Sequence, residues 1–554
     1  MHMSSSSVSG VEGATAQASA APASGLFVRK SSGLVREIGS RDAFSVATGG
    51  VNPTTNVVVL FVLLAFASNA DLTWPFIIGA AILIPLALTY AQLVATMPRS
   101  GGDFVYASRL LHPAVGAFVG FGLMLTYLYL AGGGAALVGQ MLIPQFIQAL
   151  GEATHSDGLQ TFAGTIGESK GWQFALTGLV VAVAGVFVAR GGRAVGRATW
   201  WLFAAGLVGV VLLVINGFAH GNDEFRAAYD SATQPNAYNN VIAGAKQAGI
   251  ETGSSFDGLW KVLPFIALFY NGFTQNNLPA GELKRPAKTY LRATFACLAT
   301  ACVLMIAAWL ALKHLTGMRF LQSASALSQS DPDAWTKATG GAAFTGNFYG
   351  EVIGSPIVRV LIAGGFMLGA VINPIAVSFT SSRLMFALSF DRLIPSRLAD
   401  VRKQSNMPVN AALTAAAIVL LFAALTIFST GFPRLARNAL LMSLFIFLVG
   451  SLCAAILPYR RRDLYEASPK ILKGRLGSVP LTTIVAVLSL VIQGTLFYVA
   501  ATNDSISGGY DFGSVATLLG VGLAGIVAYV VSRLYLLRSK GVNIDLAMKE
   551  LPPD

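Results

Sequence analysis

Two short stretches of this 554-residue chain carry residues suited to binding a small polar solute. They are Thr48-Gly49-Gly50-Val51-Asn52-Pro53 and Tyr270-Asn271-Gly272-Phe273-Thr274-Gln275. Each interrupts an apolar run in which a membrane helix would otherwise stay regular. Unpaired backbone groups are costly where there is no water, so irregular backbone survives in a bilayer only where it lines a protein-enclosed cavity. An interrupted membrane helix is therefore a pointer to a binding site. The chemistry expected is recognition of a zwitterion. Gly49 and Gly50 should present backbone N–H groups at the positive end of the half-helix that follows, which suits a carboxylate. The carbonyls of Phe269, Tyr270 and Asn271 should accept from an ammonium group. Thr48, Val51, Asn52, Gly272, Phe273 and Thr274 complete the unwound segments, and Tyr127, Tyr129 and Asn373 on neighbouring helices are expected to line the space between them.

Such segments need a membrane scaffold. Apolar residues make up 54% of the chain and charged residues only 12%, against roughly 25% charged in soluble domains. Runs of about 20 apolar residues, enough to cross a core about 30 Å thick, imply twelve crossings in an all-α membrane protein. They fall near residues 43–67, 74–97, 114–150, 172–189, 198–219, 259–283, 291–315, 352–388, 409–428, 438–457, 481–501 and 514–537. Residues 1–32 read as a disordered tail. Residues 33–219 and 259–457 hold five crossings each and are separated by a polar, extracellular stretch at 220–258. A final pair of crossings occupies 458–537 and a cytoplasmic tail 538–554. Because five is odd, the second set enters the membrane upside down relative to the first, an inverted repeat that places the two breaks side by side.

The net charge of +12 reports topology rather than nucleic-acid binding. Arginine and lysine concentrate in alternate short loops, which places both termini in the cytoplasm. Cys297, Cys302 and Cys453 sit in apolar runs and read as buried hydrophobes.

Three strings carry a resemblance: YAQLVATMPRSGGDFVYASRLLHPAVGAFVGFG from Tyr90, LPAGELKRPAKTYLRA from Leu278 and SRLMFALSFDRLIPSRLADV from Ser382. In their order and spacing they resemble the amino acid-polyamine-organocation (APC) superfamily of permeases. The resemblance covers residues 34–459. It implies a LeuT-like fold with broken helices 1 and 6, and alternating-access movement of an amino acid across the plasma membrane, coupled to protons or sodium. TGGVNPTT departs from the family's usual G-(S/T/A)-G-I-F in the first break. Asn271 and Gln275 stand where an acidic residue is frequent, so a neutral amino acid is expected rather than a polyamine. Other small solutes or cations, such as a nucleobase, an amine or potassium, are the alternative. The lysine that some members carry in helix 5 is missing from WWLFAAGLVGVVLLVINGF.

Several further residues have candidate roles. Hydroxyls of Ser378, Ser381 and Ser382, with Thr380, are the oxygen ligands available to sodium. Glu282, beside Lys284 and Arg285, is expected to form an ion pair at a cytoplasmic gate. Arg359 reads as the one ionisable residue well inside a crossing and is expected to snorkel outward. GESKG (167–171) fits a hydrolase regular expression but lies in a short loop before a membrane helix, not in the strand-turn-helix elbow that chemistry requires. No enzyme activity, cofactor or metal is implied. The expected partners are a small-molecule substrate and membrane lipid.

Overall fold

A computed structural model describes residues 35–341, 354–402, 407–429, 435–469, 472–503 and 512–549. The expected tail at 1–32 lies outside these. The described chain is helical apart from a hairpin pairing Arg475–Leu476 with Val479–Pro480. Ten of its helices are long and apolar enough to cross a membrane, so the chain is a multi-pass membrane protein.

The first apolar run is not one helix but three: α1 (Ser40–Val51), α2 (Pro53–Val58) and α3 (Leu60–Phe66). Pro53 has no N–H to donate to Gly49 and disfavours helical geometry in the residue before it. Asn52 accordingly adopts a left-handed conformation (φ 46°, ψ 61°), which asparagine tolerates better than most residues. Next come α4 (Thr73–Ile82) and α5 (Ile84–Thr96), then the short α6 (Asp103–Leu110). The long run Pro113–Ala153 comprises α7 (Pro113–Leu137), one π turn and α8 (Ile143–Ala153). It is followed by α9 (Asp157–Glu168), α10 (Lys170–Arg190) and α11 (Gly192–Ala219).

The polar stretch expected to be a loop instead contains α12 (Asn222–Ala232) and α13 (Ala237–Gln247). The second interrupted helix begins as α14 (Phe256–Tyr270), tightens to a 3-10 helix over Asn271–Asn277 and ends in a 3-10 turn at Ala280–Glu282. Then come α15 (Pro286–Thr316), α16 (Met318–Ser330) and α17 (Pro332–Thr339). An aromatic cluster of Phe225, Tyr229, Tyr238 and Phe320 ties the polar helices together, with Tyr238 stacked on Phe320 at 4.5 Å.

α18 (Pro356–Ala370) and α19 (Ile372–Phe390) form one long run. α20 (Val409–Phe428), α21 (Leu435–Arg460), α22 (Arg462–Ala467), α23 (Leu481–Thr502), α24 (Phe512–Lys540) and α25 (Ile544–Lys549) complete the described chain. The first interrupted helix is central: α1 packs on α11, α15, α19 and the Asn271–Asn277 segment. Small residues permit the closest helix approaches. In α11 and α18, for example, Gly209 and Gly365 bring the two backbones into contact.

Candidate binding site

The two breaks lie against each other. A Cβ on Gly272 would fall 1.9 Å from the Gly50 carbonyl carbon, and one on Gly50 would fall 2.7 Å from the Gly272 oxygen. Beside this contact is a cavity of about 190 Å³, below the range of drug-sized pockets and suited to a solute of a few heavy atoms. Eight of the expected residues line it: Gly50, Val51, Asn52, Tyr127, Phe269, Asn271, Gly272 and Asn373. No charged side chain is among its lining residues.

The other expected residues point elsewhere. Gly49 packs against Ile372 and Ala376 of α19. The Tyr270 hydroxyl donates to the Phe76 carbonyl at 3.4 Å. Thr274 donates to the Asn271 carbonyl at 3.1 Å, while Thr48 and Phe273 are buried outside the lining. Tyr129 meets Phe422 edge to face.

The carboxylate anchor expected from Gly49 and Gly50 is not what the backbone offers. α1 continues through Val51, and the Asn52 N–H closes on the Thr48 carbonyl at 2.7 Å, so the glycine N–H groups lie within helix. α2 starts at a proline, and its N-terminus is occupied by Asn52, whose Oδ1 accepts from Thr54 Oγ1 at 3.0 Å and Thr55 N at 3.5 Å. The expected carbonyls are also partly engaged. Asn56 Nδ2 donates to Val51 O at 2.8 Å and Phe269 O at 3.1 Å, pinning one break to the other. Asn52 Nδ2 reaches Ala370 O at 3.4 Å, the carbonyl whose helical donor is removed by Pro374.

Gln275, which closes the second expected stretch, also lines the cavity, as do Asn56, Thr55, Leu130, Gly134, Leu268 and Ala370, which are not marked out by sequence patterning. Asn56 follows the break by one turn, and that spacing was the available signal. Asn373 Oδ1 is buried in the cavity wall without a hydrogen-bond partner among the described residues. Asn56→Ala should lower stability by about 1–3 kcal/mol, because it leaves two carbonyls without their donor. Chemical denaturation in detergent measures this, and an unchanged midpoint would show that Asn56 does not join the breaks.

Outside the cavity, Glu282 pairs with Arg383 rather than with Lys284. Nε donates to Oε1 at 2.7 Å and a terminal guanidinium N–H to Oε2 at 3.1 Å, with both side chains buried. Lys284 is exposed. Arg359 is therefore not alone: Arg383 lies within the same long apolar run, fully buried and 3.8 Å over the Phe379 ring, and Arg359 itself pairs with Glu152 at 3.2 Å. Arg383 also donates to Ser382 Oγ at 2.9 Å, and that hydroxyl donates to Phe379 O, so Ser382 is committed to the arginine. Ser378 and Ser381 are buried in the same helix. Ser169 of GESKG is the N-cap of α10, accepting from Trp172 N at 3.4 Å.

The chain matches the family model described as amino acid permease over residues 38–525. It is 24% identical over 442 residues to the branched-chain amino acid permease BcaP of Lactococcus lactis subsp. cremoris (strain MG1363), covering 78% of this chain and 84% of that one. It is 23% identical over 380 residues to the methylthioribose transporter of Bacillus subtilis (strain 168), covering 68% of this chain and 72% of that one.

Proposed function

The chain belongs to the amino acid permease family, and from that premise we propose that it is a secondary active transporter moving a neutral amino acid across the plasma membrane by alternating access. The observation that carries the reading is the cavity between two abutting breaks, with neutral lining and, in its wall, the Asn373 amide oxygen, which has no partner among the described residues. A buried unpaired acceptor costs about 1–3 kcal/mol, and a solute N–H would satisfy it. Val51, Leu130, Leu268 and Phe269 supply apolar surface beside these polar groups. This combination suits an aliphatic amino acid, in keeping with the likeness to a branched-chain permease. In this reading the two interrupted helices join the ten long ones to make twelve crossings, arranged as the five-plus-five inverted repeat of the LeuT-like fold. Both termini are then cytoplasmic. Transport is coupled to protons or sodium, and for sodium the Ser378 and Ser381 hydroxyls are the ligands offered by α19.

A second reading, an uncharged polar solute of another class, is favoured by the amide-rich wall of Asn52, Asn56, Asn271, Gln275 and Asn373 and by the likeness to a methylthioribose transporter. Thermal unfolding of the purified protein against amino acids, nucleobases, methylthioribose and alkali cations separates the two. A ligand at 100 times its Kd stabilises the native state by about 2.7 kcal/mol. Leucine, isoleucine or valine should raise the unfolding temperature. Silence across all amino acids with a response to another solute would overturn the proposal.

A further inference from the structure

Three carboxylates are buried among the described residues: Asp103, Glu282 and Asp391. Glu282 is held by Arg383 and Asp391 by Arg109 at 2.7 Å. Asp103 differs, because no ion pair reaches it among the described residues. It sits at the start of α6, where its Oδ1 accepts from the Tyr90 hydroxyl and its Oδ2 from Asn277 Nδ2 at 2.8 Å. Gly450 of α21 makes room for this arrangement: a Cβ there would lie 2.7 Å from the Tyr90 oxygen and 3.2 Å from Asp103 Oδ1. The titratable groups facing Asp103 are Tyr90 of α5, Tyr106 of α6, Tyr127 of α7, Tyr290 of α15 and Cys453 of α21. None is a cation. With no cation beside it, burial shifts Asp103 toward the neutral acid relative to an exposed carboxylate, while its two hydrogen bonds oppose that shift.

We infer that Asp103 is a proton-binding site whose occupancy governs how the inner part of the second break is held, so that a proton travels with the solute. This rests on the transporter reading above. The carboxylate takes its proton from water when the site is open. In the closed form the acid O–H donates to the Tyr90 oxygen, which can both donate and accept, and the remaining acid oxygen still accepts from Asn277. Asn277 ends the same 3-10 segment that lines the cavity with Asn271, Gly272 and Gln275. The Gly101 N–H bonds the Leu278 carbonyl at 2.9 Å, a second tie between the turn that leads into α6 and the second break.

Burial pushes the Asp103 carboxyl up to about 6, against the opposing pull of the hydrogen bonds from Tyr90 and Asn277. The sign follows from linkage. The closed arrangement is fully favoured below the ordinary carboxylate range and loses that advantage as the pH rises through about 6. Between about pH 5 and about pH 7.5 the closed-to-open ratio should fall about tenfold.

The test is hydrogen exchange of residues 271–283 in the full-length protein, with the intrinsic pH dependence removed by comparison with Asp103→Asn. Wild type should lose about tenfold protection over that interval, while Asp103→Asn, a mimic of the neutral acid, stays protected throughout. Equal pH dependence in the two proteins would overturn the inference. If Asp103→Asn does not fold, a wild-type segment whose protection relative to residues 435–460 is constant across the same interval overturns it equally. In proteoliposomes, a proton gradient should drive leucine accumulation by wild type, while Asp103→Asn retains only leucine exchange. Accumulation driven by sodium and indifferent to pH would place coupling elsewhere. Absence of leucine transport by wild type counts against the amino acid reading alone, because the hydrogen-exchange measurement needs no substrate.

Discussion

Glu282→Gln should destabilise the folded protein by about 3–5 kcal/mol, the cost of leaving a buried charge without its partner. The guanidinium of Arg383 is fully buried, donates to both carboxylate oxygens of Glu282 and lies over Phe379. The guanidinium is shut off from solvent, and no other acid among the described residues pairs with it in place of Glu282. The same residue terminates the second interrupted helix, where its carbonyl accepts from the Ile38 N–H at 2.9 Å and the Lys284 N–H returns to the Ile38 carbonyl at 2.9 Å. Losing the pair therefore loosens the strip that ties the lead-in to α1 to the chain beyond the second break. Arg383→Met alone strands the carboxylate and should cost a similar amount. Glu282→Gln combined with Arg383→Met removes both charges and should recover most of the loss, since buried pairs replaced together by neutral groups are often close to neutral. Denaturant unfolding of the four proteins in one detergent gives the cycle. Additive losses in the double variant would show that the two residues act separately.

The existence of both breaks was legible because glycine, asparagine and proline have no reason to cluster inside an apolar run. What each residue does there was not. Gly49 and Gly50 read alike, yet one is a packing contact on Ala376 and the other forms the cavity wall. Only the direction of α1 relative to α19 separates them. Pro53 also carried more information than its reading used: by removing one N–H it confines the interruption to the Asn52-Pro53 end of the expected stretch and leaves Gly49 and Gly50 helical. Arg383 was hidden by its position near the end of a crossing, where an arginine ordinarily snorkels to water. It is buried instead because Glu282 approaches from 101 residues away in sequence. Asp103 carried no signal of its own, since nothing local to PRSGGDFVY announces Tyr90 and Asn277 as its partners. The helices in the polar stretch left a weak trace, with Phe225 and Tyr229 four residues apart on one face.

Gly272→Ala should reduce solute affinity about 100-fold, the order of effect a displacement of about 1 Å has on an organised site. The new methyl group would stand 1.9 Å from the Gly50 carbonyl carbon and 2.0 Å from the Val51 nitrogen. Both are backbone atoms, so no rotamer change relieves the contact, and α1 must move away from the Asn271–Asn277 segment. That displacement stretches the Asn56 bonds to Val51 and Phe269 and widens the wall that holds Asn271 and Asn373 in place. Overpacking of this kind costs about 1–3 kcal/mol in stability, so binding must be compared at matched folded fractions. Gly133→Ala provides the control: its Cβ meets nothing within 4 Å, and its effect on stability should stay within about 0.5 kcal/mol with affinity unchanged. Isothermal titration with the amino acid that stabilises wild type reads both variants. Wild-type affinity in Gly272→Ala would mean that the solute does not use the junction of the two breaks, whereas selective loss there identifies their backbone contact as the feature that sets the site.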